Sequence, residues 1–216
     1  SLLSRVLEIA PEDVGGRLQE LHGLDFIFPS AQDPELMYTF KHALTQDVVY
    51  AGVLERKRRT HHVAAGTGLE DLYAGRIEEV VELIAYHFGH GQVWDKAVTY
   101  LRQAAVKAQA RSAHRVAVVS LEEALAALHH LPETPQTREQ EIDVRLELRG
   151  SLYPLAEFEK MRTYLREAET MAGAIADSRR LALVSIHTAE YLRQTGQFAE
   201  ARTLAEKALA ISDELQ

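Results

Sequence analysis

The stretch TGQFAEARTLAEKAL, residues 195–209, carries the pattern that decides the fold. Gly196 and the aromatic Phe198 come first, and two small residues, Ala201 and Ala208, follow seven positions apart. Residues seven apart lie on one stripe of an α-helix, so small side chains there let a neighbouring helix approach closely. The bulky residue before them is placed to fill the turn between two antiparallel helices. The stretch therefore predicts the second helix of a packed helical hairpin.

The same spacing occurs three more times upstream, each time after a larger residue. These copies are Ala97 and Ala104 after Trp94, Ala117 and Ala124 after His114, and Met161 and Ala168 after Phe158. The pattern resembles the tetratricopeptide repeat, in which pairs of helices stack into a superhelix. Residues 182–215 match the repeat best, and residues 98–131 keep its alanines. Because the copies begin 20, 44 and 40 residues apart, the predicted array is irregular.

The first third of the chain predicts a mixed structure. SLLSRVLEIA and PEDVGGRLQELHG predict two short helices, the second with Pro11 in its first turn. The short apolar runs LDFIFPS and LMYTF predict an antiparallel hairpin, with Pro29, Asp33 and Pro34 in its connection. Helix, helix and hairpin follow each other in this order in the second half of a winged-helix domain.

Together these patterns predict a mainly α-helical protein, in which a partial winged-helix element with a small β-hairpin precedes a tetratricopeptide-like α-α superhelix. We expect the winged-helix element at residues 1–60, a helical linker and the first repeat units at 61–131, and further repeat units at 132–216. The proline-bearing segment LPETPQTREQ marks the clearest linker. Glycines in HHVAAGTGLEDLYAG predict that a helix there is weak.

Composition limits the functions open to the chain. It has 216 residues, no cysteine and a formal net charge of −8, so disulfides and thiol chemistry are excluded. Basic and acidic residues number 7 and 9 in residues 1–62, 4 and 6 in 63–110, and 13 and 17 in 111–216. No section is basic, whereas a nucleic-acid binder gains most of its affinity by neutralising phosphates.

The same composition argues against a membrane protein. No apolar run approaches the roughly 20 residues that cross a bilayer, and no signal peptide opens the chain. A chain without cysteine fits a reducing compartment, although it is also compatible with secretion, and we expect a cytoplasmic protein. Its first and last residues both continue helical patterns, which suggests a segment of something longer.

The stretch YTFKHALTQDVVYAGVLERKRRTHH, residues 38–62, begins as a strand and turns helical after Phe40. Together with the downstream helix around LIAYHFGHG, it resembles the region that follows the ATPase core in bacterial signal-transduction ATPases of the adenylate/guanylate cyclase-associated type. The matching residues are Phe40, Lys41, His42, Ala43, Leu44, Asp47, Tyr50, the basic run Arg56–Arg59, His61, and Ile84 to His87. The resemblance covers about residues 15–131 and implies a regulatory arm downstream of a nucleotide-binding core. The chain itself has no GxxxxGK[ST] phosphate loop.

No residue set predicts a catalytic, cofactor or metal site. The serines fall inside helical patterns without a strained GxSxG turn, and the glutamates fall on polar helix faces. The histidine pairs at 61–62, 87 and 90, and 129–130 each offer two metal ligands, and no third ligand lies nearby in the sequence. Packing or surface roles are therefore favoured for them, and His42 is expected to orient the strand-to-helix corner by a hydrogen bond.

DNA contact is disfavoured as well. The helix that would enter a groove, PEDVGGRLQELHG, sets one arginine, Arg17, against three acidic residues and would repel the phosphate backbone. The basic run in ERKRRTHH spreads around the helix axis, which favours a solvated or interdomain face over phosphate contact.

The predicted superhelix has a concave face built from the first helix of each pair. By repeat position, that face carries Thr99, Arg102, Leu183, Ile186, Glu190, Arg193 and Gln194. We expect a non-catalytic, cofactor-free module of a larger bacterial signalling ATPase that binds a protein partner or another domain of the parent chain there. Two alternatives stay open, a DNA-linked transcriptional regulator and a small-molecule sensor with a pocket inside the superhelix. Self-association also stays open.

Overall fold

A computed structural model describes residues 1–30 and 37–214 of the chain. It divides into two compact units, Ser1–Val93 and Trp94–Gln216. In the described residues, eleven α-helices account for most of the structure and two short strands form the one sheet. The predicted mainly helical class with a small antiparallel hairpin is therefore confirmed. None of the helices in these residues has the length and apolar composition that a membrane crossing requires.

The first unit combines helices with the hairpin. Its elements are α1 (Leu2–Leu7), α2 (Pro11–Gly23), β1 (Ile27–Ser30), β2 (Met37–Phe40), α3 (Ala43–Gly52), α4 (Glu55–Leu72), a 3-10 helix (Ile77–Glu79) and α5 (Val81–Gly91). The strands pair antiparallel, with Ile27 opposite Phe40. Pro29 belongs to β1, opposite Tyr38, and not to the connection as predicted. Asp33 and Pro34 lie outside the described residues.

Helix α4 runs unbroken through Gly66 and Gly68, two of the glycines that predicted a weak helix, and ends at Leu72, before Gly75. These two glycines allow close helix contacts instead. A Cβ on Gly66 would lie 3.0 Å from Cε1 of Phe88 on α5, and a Cβ on Gly68 would lie 2.7 Å from Cδ1 of Leu2 on α1. Tertiary packing therefore outweighs the low helix propensity of glycine here.

Two further predictions about the first unit concern His42 and the boundary at residue 60. His42 is the N-cap of α3, yet its imidazole makes no capping hydrogen bond. The expected end of the winged-helix element at residue 60 falls inside α4 (Glu55–Leu72), and its identity as a winged helix stays a prediction.

The second unit consists of helices that pack against their neighbours in sequence. They are α6 (Trp94–Ala110), α7 (His114–Leu128), α8 (Pro135–Leu152), α9 (Phe158–Ala174), α10 (Ser178–Gln194) and α11 (Phe198–Glu214). In addition, α8 contacts both α6 and α10. This packing of adjacent helices is consistent with helical repeats.

The small-residue stripes that the sequence predicts are buried in this unit. All eight positions are at most 8% exposed: Ala97, Ala104, Ala117, Ala124, Met161, Ala168, Ala201 and Ala208. Ala168 and Ala172 of α9 meet Ile142 of α8 and Val184 of α10 in one apolar cluster. Small side chains on α9 thus let its backbone approach two helices at once.

Four turns in the second unit share one backbone geometry. Ser112, Ala156, Ala176 and Gly196 hold φ values between 53° and 82°. The residue after each donates its amide to a carbonyl five positions back, as Gln197 does to Leu192 at 2.8 Å. This is a Schellman ending, which turns the chain sharply after each helix. Only the connection between α7 and α8 lacks this geometry, and that connection is longer than the other four.

Candidate partner-binding face

The exposed sides of α6, α8 and α10 lie next to each other because α8 contacts both other helices. We call this surface the first-helix face. It comprises Thr99, Arg102, Val106, Asp143, Glu147, Gly150, Leu183, Ile186 and Glu190. On each helix these residues are three, four or seven positions apart, so they share one side of it.

An ion pair joins α6 to α8 on this face. Arg102 donates from Nε to Oε2 of Glu147 at 3.1 Å and from Nη2 to Oε1 of the same carboxylate. Both side chains are about one-third exposed. The hydrogen bond to Glu147 raises the pKa of Arg102, and the burial that opposes this has the smaller effect. A two-point guanidinium–carboxylate contact fixes orientation as well as distance.

Further ion pairs join α8 to α10. Arg180 donates from Nε and Nη2 to the two carboxylate oxygens of Asp143 at 2.7 and 2.9 Å. Nearer the end of the helices, Arg149 of α8 donates to Glu190 of α10. Each partly exposed pair is worth about 1 kcal/mol or less, so the pairs set the register of the helices more than they stabilise them.

A hydrogen bond between two uncharged side chains also joins α6 to α8. Gln109 donates to the hydroxyl of Ser151 at 2.9 Å. Next to it, Gly150 is exposed, and a Cβ added there would meet only the amide of Gln109, at 3.5 Å. The face therefore has a shallow notch near the C-terminal end of α8.

Aliphatic side chains remain uncovered between these paired charges. Val106 on α6 is 62% exposed, and Leu183 and Ile186 on α10 are 40% and 48% exposed. With its main charges already neutralised in pairs, the face offers aliphatic contacts rather than a net charge. Such a surface suits an amphipathic peptide or helix better than phosphate.

The structure distributes the seven predicted residues over two helices. Thr99 and Arg102 lie on α6, and Leu183, Ile186, Glu190, Arg193 and Gln194 lie on α10. Arg102 forms its ion pair with Glu147, and Glu190 forms its ion pair with Arg149. Thr99 donates its hydroxyl to the carbonyl of Asp95 on its own helix. Arg193 and Gln194 are exposed. Their role in binding stays a prediction.

Sequence reasoning missed the contribution of α8. Asp143, Glu147 and Gly150 sit between the two helices that carry the predicted residues. The available clue was the 44-residue spacing between the alanine stripes, because moving 44 positions along from Thr99 reaches Asp143. The longer α7–α8 connection hid this correspondence.

A separate cavity of about 560 Å³ lies where the end of α7, the start of α8 and the end of α9 meet. Its apolar walls are Leu128, Leu131, Met171, Ala174 and Ile175. Its polar lining is His129, Glu133, Thr137, Arg138 and Glu141. The volume falls within the range of small-molecule pockets, and apolar walls with a few polar groups are typical of them.

The first unit brings together histidines that the sequence only pairs. His62 of α4 lies 3.0 Å from His87 of α5, measured between their Nδ1 atoms, and its ring centroid is 5.1 Å from that of His90. Within the part of the chain that the structure describes, no group of three or more His, Asp or Glu side chains is arranged to hold a metal ion. The packing or surface role that their spacing favoured stays a prediction.

The chain matches no protein-family model, no curated protein and no solved structure.

Proposed function

We propose that this chain is a non-catalytic interaction and regulatory module whose second unit is a tetratricopeptide-like array. The observation that carries the proposal is the arrangement of α6, α8 and α10. These first helices of three antiparallel pairs are adjacent, bridged by ion pairs, and exposed on one side. Helical-repeat proteins bind partners on surfaces of this kind.

The partner of the first-helix face is a protein segment with aliphatic side chains. Val106, Leu183 and Ile186 would pack against it, and the notch at Gly150 leaves room for its backbone or a side chain. The bridging ion pairs would hold the three helices in a fixed register, so little ordering entropy is lost on binding.

The resemblance to signal-transduction ATPases adds a context. In that context, the partner is another domain of a larger parent protein, and the chain transmits a signal to or from a nucleotide-binding core. This assignment rests on the motif at residues 38–62 and its downstream helix.

The test is a binding measurement between the 216-residue chain and the remainder of its parent gene product. We expect Val106→Glu and Ile186→Glu each to weaken binding at least about tenfold, because a buried carboxylate without a partner costs more than 1.4 kcal/mol. Val116→Glu and Val119→Glu are the matched controls, because both valines are 54% exposed on α7, away from the face. Equal losses in all four variants, or none in any, would count against the proposed face.

A small-molecule sensor is the second candidate, and the 560 Å³ cavity favours it. Trp94, the single tryptophan of the chain, stacks on His130, whose neighbour His129 lines the cavity. A ligand in the cavity should therefore change Trp94 emission. Ala174→Phe would fill part of the cavity and should abolish that response, whereas a response unchanged by Ala174→Phe would exclude the cavity as its source.

A further inference from the structure

Three helices of the first unit meet at a chain of hydrogen-bonding side chains. Oη of Tyr50 on α3 lies 3.0 Å from Nε2 of His62 on α4, and Nδ1 of His62 lies 3.0 Å from Nδ1 of His87 on α5. His62 is only 8% exposed, so water has little access to it. We call Tyr50, His62 and His87 the imidazole chain.

The geometry of the imidazole chain limits how many protons it can hold. When both rings are neutral, one Nδ1 donates and the other accepts, and Tyr50 takes the complementary role at Nε2 of His62. One additional proton also fits, because a fully protonated His62 can donate from both nitrogens, to His87 and to the oxygen of Tyr50. A second additional proton would place two N–H donors against each other at 3.0 Å, which breaks the link.

We propose that the imidazole chain is a proton-operated lock that ties α3 to α4 and α5. The lock holds while His62 and His87 share at most one additional proton, and it opens when both rings are protonated. Clusters of histidines act as pH switches in this way when protonation sets like charges against each other.

The charged groups that shift the pKa values of the two rings repel an additional proton. The groups that act electrostatically on the two rings are Arg58 and His61 from α4 and His90 from α5, and all are cationic when charged. Tyr86 of α5 contributes an aromatic ring, with its centroid 5.6 Å from that of His62. Tyr50 is the contact from α3.

The pKa values of both rings are lowered, which agrees with this geometry. Burial lowers the pKa of His62, and the neighbouring cationic groups lower it further. Burial, followed by His62 and His90, lowers the pKa of His87 to about 4. A histidine whose pKa is depressed in the folded state contributes stability above its ordinary pKa of 6.5 and loses that contribution as the pH falls toward 4.

Helix α3 is the element that opening would release. None of its residues is buried, and Leu44 and Val48 are 74% and 64% exposed. Tyr50 connects α3 to α4 by two contacts. Its hydroxyl forms the hydrogen bond with His62, and the guanidinium of Arg58 lies 5.0 Å from the centre of the Tyr50 ring. Loss of the hydrogen bond between Tyr50 and His62 leaves α3 with few interactions that keep it packed against α4.

The test is hydrogen–deuterium exchange of the α3 amides in the full 216-residue chain, corrected for the intrinsic pH dependence of exchange. Between pH 7.5 and pH 4.5 we expect α3 protection to fall, by up to about tenfold per pH unit for each shifted imidazole. In His87→Asn, an amide replaces Nδ1 and cannot take up a proton, so only His62 is left to titrate and α3 protection should fall less over this range. His129→Asn, at an exposed histidine of the second unit, should behave like the unmodified chain.

A constant α3 protection in the unmodified chain would overturn the proposal, as would an equal fall in His87→Asn. If His87→Asn fails to fold, NMR of the imidazole carbons in the unmodified chain decides. The proposal requires His62 and His87 to titrate as a coupled pair below the ordinary range of histidine. Independent titration of both rings near 6.5 would overturn it.

Discussion

Arg102 on α6 holds the carboxylate of Glu147 on α8 through both Nε and Nη2, and so joins two helices that the chain separates by 45 positions. Because both side chains are about one-third exposed, we expect Arg102→Ala to lower the free energy of unfolding by about 0.5–1 kcal/mol. Urea unfolding of the two single variants and the double variant with Glu147→Ala would give the coupling energy. A coupling of zero would mean that the pair does not tie α6 to α8 in solution.

Gly150 should be replaceable with a gain in stability. It lies inside α8, and a Cβ there would make only an ordinary van der Waals contact with the amide of Gln109, so Gly150→Ala should raise the free energy of unfolding by roughly 0.5–1 kcal/mol. Gly66→Ala is the matched control within α4, because its Cβ would press on the ring of Phe88 and should destabilise the fold by about 1–3 kcal/mol. Thermal or urea unfolding measures both, and the same sign for the two variants would contradict the packing described here.

Asp177 caps the first turn of α10, where its carboxylate accepts the amide of Arg180 at 2.9 Å. Burial raises the pKa of Asp177, but the backbone and side-chain hydrogen bonds from Arg180 outweigh it, so the pKa lies below its ordinary value of 3.8. The charge therefore stabilises the fold above about pH 4, and this stabilisation is lost as the pH falls through the lowered pKa. We expect Asp177→Ala to cost about 1 kcal/mol at pH 7 and less at pH 3, measured by urea unfolding. An equal cost at both pH values would show that the carboxylate charge plays no part.

Trp94 and His130 close the α6/α7 hairpin at one end, with ring centroids 4.1 Å apart and planes inclined by 13°. Since the chain has a single tryptophan, its emission reports this stack alone. We expect His130→Ala to expose the indole and shift the emission to longer wavelength. His129→Ala should leave the spectrum unchanged, because its ring is largely exposed and makes no stack with Trp94. A red shift in both variants would point to a general loosening of the hairpin.

Much of the second unit could be predicted from the sequence because its packing is local. The alanine stripe at Ala117 and Ala124 depends only on helical periodicity, and the partner helix follows within a few residues. The turn residues could not be predicted, because Ser112, Ala156 and Ala176 take the left-handed conformation that usually indicates glycine. Packing of the flanking helices decides those positions, and no local pattern reports it.

The residues of the candidate surfaces also divide into those that the sequence predicts and those that only the structure shows. The residues of α6 and α10 followed from repeat position, whereas Glu147 on α8 required the structure, since the longer connection before α8 shifts its register. The histidines were visible as pairs in the sequence. The contact between His62 and His87 joins different helices, and only the tertiary fold makes it.

The left-handed alanines at Ala156 and Ala176 have a practical consequence. A non-glycine residue in this conformation costs roughly 1 kcal/mol, and a glycine would remove that cost at one turn without altering any side chain on α6, α8 or α10. The stability of each turn can therefore be adjusted without changing the surface of these helices. An engineer could use these two positions to stabilise the second unit from its turns alone.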